Sequence, residues 1–526
     1  MCARLLLACL LAAAPTLAGT AAKPQPNIIL ILADDLGWGD LGCYPKGKAW
    51  GEQAYIKTPN LDKLAASGVR CTDGYASHMV CAPSRAGMLS GRYQHRIGFY
   101  QFAETAVGLP KNVKLLPETL RDAGYATGLI GKWHLGYPKG KQPLDRGFER
   151  FFGFLGGQHE YYLANMGEAM FHAHNAPDGF IFDQEKPVRE IAYLTDELTD
   201  KAMAFMGSAA DAKRPFFLYL AYNAPHPPMQ ARWEDLAPFA NRKGEYTYRD
   251  LTRAMIVRMD EQVGRVMEWL RRKGLEEETL IVFSSDNGGH DDGPANCVQH
   301  NGGLRGRKGY FFEGGIRVPF IVRWPSKLPS GKVYTQPVSQ LDIYPTVLAA
   351  AAIQQRPADL DGVNLLPFLS GKDSGSPHQR LYWAEQNRNA KWAVREGKWK
   401  LVREDFKPSI DQKKGPPQFK VGLFDLEADP FEKQDLAAQQ PDRVRAMTEL
   451  MHTFHASMKP SVFTEKEREA QSAREKERGR NPALKDWPLL HGAPGHWKNV
   501  RNPAEPGVVI GREDRVEAKA TDPQRQ

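Results

Sequence analysis

Cysteine is scarce, with 6 in 526 residues. Two of them, Cys2 and Cys9, fall in an N-terminal stretch that reads as a removable leader. Cys43, Cys71, Cys81 and Cys297 remain, too few for a disulfide framework, so the fold must rest on a buried core. No Cys/His cluster has the spacing of a zinc site. There is no internal repeat, and no basic cluster interleaved with aromatics that would argue for nucleic acid. After the leader no apolar run is long enough to span a bilayer, which takes about 20 residues. Charge of one sign is also in short supply: 70 basic residues against 62 acidic leave +8. That balance is compatible with an anionic substrate and ordinary for a mixed-charge surface. Hydrophobic content of 42% and charged content of 25% are those of a soluble globular protein.

The leader has Arg4 ahead of an apolar run over 5–17, then small residues at Ala18-Gly19-Thr20-Ala21-Ala22. This is the pattern of a secretory signal over 1–22. It implies export to a periplasm, an extracellular space or a lysosome-like lumen. Leu6-Leu7-Ala8-Cys9 matches a lipoprotein cleavage box, but it precedes most of the apolar run, which disfavours lipidation.

Four short apolar runs read as strands buried on both faces: 27–33, 125–130, 216–222 and 279–284. Helices are predicted between them, from Pro59, over 115–124, over 195–207 and over 249–273. Each strand ends in polar residues: Asp34-Asp35, Lys132 and His134, Asn223 and His226, Asp286-Asn287. Alternating strands and helices predict an α/β fold with a large, mainly parallel sheet sandwiched by helices. In such folds ligands sit beyond the carboxyl ends of the strands, so all four clusters are brought to one edge. Past Ser374-Gly375-Ser376-Pro377 the pattern becomes short alternating runs at 391–395, 399–402 and 422–426. These predict a smaller C-terminal α+β unit on an antiparallel sheet, with a helix over 441–457. The expected division is a catalytic domain over 23–372, a C-terminal subdomain over 373–460, and a charged, proline-rich tail over 461–526 with a solvated helix at 465–480.

Asp34, Asp35, Asp286 and Asn287 are all oxygen donors. Such a set suits Ca²⁺, with Mg²⁺ the less favoured choice. Two adjacent carboxylates at the end of a buried strand are costly unless a cation sits there.

The stretch Cys81-Ala82-Pro83-Ser84-Arg85-Ala86-Gly87-Met88-Leu89-Ser90-Gly91-Arg92 places a cysteine just ahead of a helix, with Pro83 in its first turn. Free N–H groups and the helix dipole favour negative charge there. The stretch resembles the sulfatase signature C-x-P-S-R-x-x-x-L-[ST]-G-R at every fixed position. Further segments resemble the same family in order: Ala33-Asp34-Asp35-Leu36-Gly37, Gly131-Lys132-Trp133-His134-Leu135-Gly136, His226, Ser285-Asp286-Asn287-Gly288, Leu304-Arg305-Gly306-Arg307-Lys308 with Glu313-Gly314-Gly315, and Leu423-Phe424-Asp425-Leu426 with Asp429-Pro430-Phe431-Glu432. The resemblance covers about 27–436 and is nearest to the arylsulfatase and N-acetylgalactosamine-sulfatase branch.

That resemblance implies an alkaline-phosphatase-like fold and hydrolysis of a sulfate ester. It implies that a maturation enzyme converts Cys81 to 3-oxoalanine (formylglycine), whose hydrate is the nucleophile, and that one Ca²⁺ is held by Asp34, Asp35, Asp286, Asn287 and residue 81. Three carboxylates against a divalent ion leave about −1; Arg85, Lys132 and Lys308 bring the sum to about +2, which admits a sulfate ester. In the implied mechanism Lys132 and Lys308 hold the sulfate oxygens. His226 or Lys308 protonates the departing oxygen, and His134 takes a proton as sulfate is expelled. Arg85 steadies the nucleophile and the metal-side oxygens. His159, His290, Asp291, Asp292, His300 and Arg305 fall on loops expected to rim the pocket and to bond a sugar. The expected substrate is a sulfated galactose-type or hexosamine residue of a glycan. Two other functions fit parts of the pattern: a phosphonate or phosphodiester hydrolase of the same superfold, and an inactive relative that binds sulfated glycans.

Overall fold

A computed structural model describes residues 25–44, 56–164, 179–239, 246–290, 300–355, 357–386, 390–405, 419–467, 469 and 509–510. The leader, Asp291, Asp292, Cys297, most of the tail and the predicted helix beyond 469 lie outside the described residues.

The main sheet contains ten strands, which we number β1 (Asn27–Ala33), β2 (Val69–Cys71), β3 (Ala126–Lys132), β4 (Arg150–Phe154), β5 (Phe182–Asp183), β6 (Lys186–Pro187), β7 (Phe216–Ala221), β8 (Thr279–Ser285), β9 (Phe320–Arg323) and β10 (Lys332–Tyr334). Their spatial order is β10-β2-β9-β8-β1-β7-β3-β4-β5-β6. The centre, β8-β1-β7-β3-β4, is parallel throughout. Pairings of β9 with β8 and with β2 are antiparallel, as are those within β4-β5-β6.

β1 is Asn-Ile-Ile-Leu-Ile-Leu-Ala, and its alternate residues serve two cores. Ile29, Ile31 and Ala33 pack with α1 (Pro59–Ala66), α4 (Leu194–Asp211) and α5 (Tyr248–Arg272). Ile28, Leu30 and Leu32 pack with α2 (Cys81–Ser90), α3 (Leu116–Asp122) and α6 (Ile343–Ala350). The two layers of helix thus close both faces of the sheet, as the strand pattern predicts. Local chemistry sets the helix ends. Thr247 caps α5 by accepting from the Asp250 N–H at 3.2 Å, while Asp250 accepts from the Thr247 N–H at 2.9 Å. Gly91 ends α2 in a left-handed conformation, φ 65°.

A second, antiparallel sheet runs β11 (Arg380–Ala384), β12 (Trp392–Glu396), β13 (Trp399–Asp405) and β14 (Phe419–Asp425) in that order. One face, with Val394, Leu401 and Leu423, carries α7 (Pro441–Ala456) through Met447, Met451 and Phe454. The other face, with Leu381, Trp383 and Val402, packs on Tyr75, Phe311, Phe312 and Ile316. A buried ion cluster crosses this seam: Lys400 Nζ lies 2.9 Å from both Glu313 and Glu432. Among the described residues no helix is long and apolar enough to cross a membrane.

Candidate active site

The carboxyl ends of four neighbouring strands meet at one edge. β1 delivers Asp34 and Asp35, β8 delivers Asp286 and Asn287, β3 delivers Lys132 and His134, and the turn after β7 delivers His226. In an extended chain successive side chains point to opposite faces. Asp35 escapes this rule because its backbone is left-handed, φ 64°, and the Asp34 and Asp35 carboxylates therefore face the same space. The turn is fixed from β8: the Asp35 N–H donates to Asp286 Oδ1 at 3.2 Å and the Leu36 N–H to Ser285 Oγ at 2.9 Å.

Cys81 opens α2 rather than preceding it; Val80, extended at φ −141° and ψ 157°, is the capping residue. The electrostatic expectation survives this one-residue shift, because the first-turn N–H groups still lack helical partners. One turn on, Arg85 is buried and donates through Nε to Asp286 Oδ2 at 2.9 Å. Its Nη1 donates to the Lys132 carbonyl and to the Tyr219 hydroxyl, both at 3.2 Å. Lys132 Nζ meets Asp34 Oδ2 at 2.7 Å, and Lys308 Nζ meets the Asp35 carboxylate at 2.8 Å. Both lysines therefore pair with the acids here, where the resemblance assigns them to sulfate oxygens. His226 Nε2 lies 3.7 Å from Asp35, while its Nδ1 faces the Pro227 carbonyl at 2.7 Å. His134, left-handed at φ 58°, has no hydrogen-bond partner on Nδ1 and presents Nε2 to Gly157.

Three buried carboxylates thus face three cations, and the environment sets their protonation. Burial and the neighbouring Asp286 push Asp34 up to about 8, against the pull of Lys132 and Arg85. Burial would raise Asp35 as well, but Lys308 and His226 hold it well below the usual carboxylate range. Burial pushes the Cys81 thiol up, with Lys132 and Lys308 opposing. Burial, then the flanking cations, holds His134 and His226 well below the ordinary histidine value.

The residues fit a hard cation. Asp34 Oδ1 and Asn287 Oδ1 are buried with no hydrogen-bond partner. Donor atoms of Asp34, Cys81 and Asp286 lie within 4.8 Å of one another, as do those of Asp34, Asp35 and His226. Oxygens on opposite sides of a Ca²⁺ stand about 5 Å apart.

Comparison with known proteins places this edge. The sulfatase family model matches residues 26–353, and a model of the N-sulphoglucosamine sulphohydrolase C-terminal region matches 306–459. Arylsulfatase A of Homo sapiens is 36% identical over 408 residues, 73% of this chain and 76% of that protein. The chain belongs to the sulfatase family. N-acetylgalactosamine-6-sulfatase of Canis lupus familiaris is 35% identical over 371 residues, covering 67% of this chain and 68% of that one. Among solved structures, Ps i-CgsB in complex with k-i-k-neocarrahexaose shares 33% identity and a TM-score of 0.73, over 87% of this chain and 98% of that one. As a sulfatase this protein is a sulfuric ester hydrolase, and its fold is that of its alkaline-phosphatase-like neighbours.

Around the sulfatase site the rim differs from the sequence expectation at two places, Arg305 and His159. Arg305 turns away: Nη1 donates to the Glu432 carbonyl at 2.9 Å and its guanidinium lies 4.2 Å from the Phe312 ring, so it ties the loop to the C-terminal sheet. His159 is buried, its Nδ1 facing the Glu160 carbonyl at 2.8 Å, and His300 accepts from the Gly302 N–H at 2.9 Å. His290 is half-buried and acts on Asp35 electrostatically. Sequence reasoning missed Tyr219, which bonds Arg85. It also missed Asn301, whose amide accepts from the Gly289 N–H at 2.8 Å and donates to its carbonyl at 3.1 Å. A lone hydroxyl inside the wholly buried strand β7 was the available signal for Tyr219.

Proposed function

We propose that this sulfatase cleaves a sulfate ester on a galactose-type or hexosamine residue of a sulfated glycan, using formylglycine at position 81 and a bound Ca²⁺. The observation that carries the reading is the convergence of Asp34 and Asp286 on Cys81, with Asp35 grouped beside Asp34, Asn287 bonded to Asp35, and Arg85, Lys132 and Lys308 paired with these acids. A buried thiol pushed up in pKa is a poor nucleophile as it stands, which supports its conversion. A hydrated aldehyde supplies one hydroxyl to attack sulfur and a second through which sulfate is expelled. Asp34, Asp35, Asp286 and Asn287 would hold the Ca²⁺, which when bound supplies positive charge for the sulfate oxygens.

The chain's own residues do the rest. Arg85, locked on Asp286 and Tyr219, fixes the side of the cavity next to residue 81. With Asp34 and Asp35 engaged in holding the ion, Lys132 and Lys308 would be the groups left to bind the sulfate oxygens. The departing alcohol takes its proton from Lys308 Nζ; His226, whose Nδ1–H faces the Pro227 carbonyl, gives one from Nε2 only after its ring has been protonated beside Asp35. His134, neutral and with Nδ1 unpaired, accepts a proton when sulfate leaves. The substrate class is supported by the names of the relatives and by the hexaose bound in the structural neighbour. The same reading carries export through a cleaved leader at 1–22, and a catalytic domain over 23–372 followed by a subdomain over 373–460.

The test is direct. The Cys81 peptide of the purified chain should be about 18 Da lighter than the thiol form, the mass difference between a thiol-bearing and a formyl side chain. Cys81→Ala should abolish turnover on a panel of defined sulfated sugars assayed with Ca²⁺. An unmodified peptide in an active enzyme, or faster turnover of aryl phosphodiesters than of aryl sulfates, would reject the reading.

A further inference from the structure

The nucleophile and the metal donors come from different elements: residue 81 from helix α2, and Asp286 and Asn287 from the end of strand β8. Their separation must be held to a fraction of an ångström, because an error of about 1 Å can cost a hundredfold in rate. Arg85 to Asp286 is one tie between them. A second runs through a residue outside the site, Gln340, the first residue of a short 3₁₀ turn at Gln340–Asp342.

Gln340 is fully buried and its amide makes three bonds. Oε1 accepts from Ser84 Oγ at 2.9 Å. Nε2 donates to the Ser285 carbonyl at 2.5 Å and to Ser284 Oγ at 3.0 Å. Ser84 immediately precedes Arg85, and Ser285 immediately precedes Asp286. One planar amide therefore spans the neighbours of both members of the Arg85–Asp286 pair. Only an amide can accept at one end and donate at the other with this shape; a carboxylate loses the donor and an aliphatic chain loses both.

The turn that carries Gln340 is itself fixed. Asp342 accepts from the Ser339 N–H and the Val363 N–H, each at 2.8 Å, and lies 2.8 Å from His378 Nε2. The Leu341 N–H donates to Ser339 Oγ at 3.3 Å. The amide is thus a spacer set on a rigid mount, not a side chain filling a gap.

We infer that Gln340 is a positioning residue for sulfate-ester hydrolysis, setting the distance between the nucleophile helix and the metal-binding end of β8. The inference rests on the reading of Cys81 and Asp286 as the two halves of one site. The test uses the full chain carrying Gln340→Met, Gln340→Glu or Ser84→Ala. Conversion at Cys81 is counted by mass spectrometry, so that kcat and KM for an aryl sulfate are expressed per converted site. Ca²⁺ binding is followed separately by a thermal-shift titration. Gln340→Met should lower kcat per converted site about tenfold or more, with KM within about twofold. The midpoint of the Ca²⁺ titration should rise about tenfold, since Asp286 is no longer held in register. Gln340→Glu should behave alike, because it cannot donate to the Ser285 carbonyl, and Ser84→Ala should show a smaller shift in the same direction. Variants that melt earlier yet keep both kcat per converted site and the Ca²⁺ midpoint would reduce Gln340 to a packing residue and overturn the inference. If Gln340→Met does not fold, an unchanged Ser84→Ala overturns it equally. A wild-type chain that is unconverted at Cys81 and unmoved by Ca²⁺ would instead remove the reading underneath, and the inference with it.

Discussion

Gly157 shows how little room the site leaves a single side chain. A Cβ built there would stand 2.8 Å from His134 Nε2. That is closer than carbon and nitrogen approach without displacement, and His134 is itself buried, which leaves its ring little room to swing aside. Gly157→Ala should therefore push the imidazole out of line. We expect kcat on an aryl sulfate to fall about tenfold to a hundredfold with the Cys81 conversion unchanged, measured by steady-state kinetics beside peptide mass spectrometry. At this scale much of the site was legible. Cys81, Arg85 and the strand-end acids sit in a contiguous motif or at predictable strand termini, so local pattern sufficed. Asn301 and Gln340 were not legible, because each matters only through a partner more than ten positions away in sequence, and Tyr219 offered no more than a lone hydroxyl in a buried strand. Arg305 misled for the same reason: Lys308, three residues on, reaches Asp35, while the partners of Arg305 itself, Glu432 and Phe312, lie toward the C-terminal sheet.

At the scale of elements, the wholly buried strands were the easiest to read, since β-branched and aromatic runs covered on both faces leave few alternatives. The start of α2 moved by one residue, because Val80 rather than Cys81 takes the extended capping conformation. The 3₁₀ turn at Gln340–Asp342 had no comparable signature, being a short polar break in an otherwise apolar segment. It depends on His378, which reaches across from the segment leading into β11. Burial alone would lower the His378 pKa; the Asp342 carboxylate overrides it and raises it above the ordinary value. A group whose pKa is raised on folding binds its proton more tightly in the folded state. Its contribution is fully present below the unfolded value of about 6.5 and is lost as pH rises through the raised folded value. His378→Gln should thus lower Tm most on the acid side. The gap from the wild type should close as pH climbs past neutrality, as measured by thermal melts across a pH series.

For the molecule as a whole, the seam between the two sheets is the vulnerable place. Lys400 sits fully buried between Glu313 and Glu432, with Tyr75 donating to Glu313 at 2.7 Å. Lys400→Met would leave Glu432 buried without a counter-charge and Glu313 with only the longer pair to Arg317 at 3.4 Å. Breaking a buried ion network from one side costs about 3–5 kcal/mol. The expected result is a large fall in denaturation midpoint in urea, with part of the loss recovered by adding Glu432→Gln. The α/β architecture and the antiparallel C-terminal sheet could both be read from hydrophobic period. The cluster that joins them could not, because its three members come from three separate stretches of chain.

The left-handed residue at position 35 has a wider consequence. Two neighbouring amino acids at the tip of a single strand turn their carboxylates into one space, so the tips of β3 and β7 are released to offer a lysine and two imidazoles. What limits the richness of such an edge is how many strands can crowd together, and one twisted dihedral relaxes that limit.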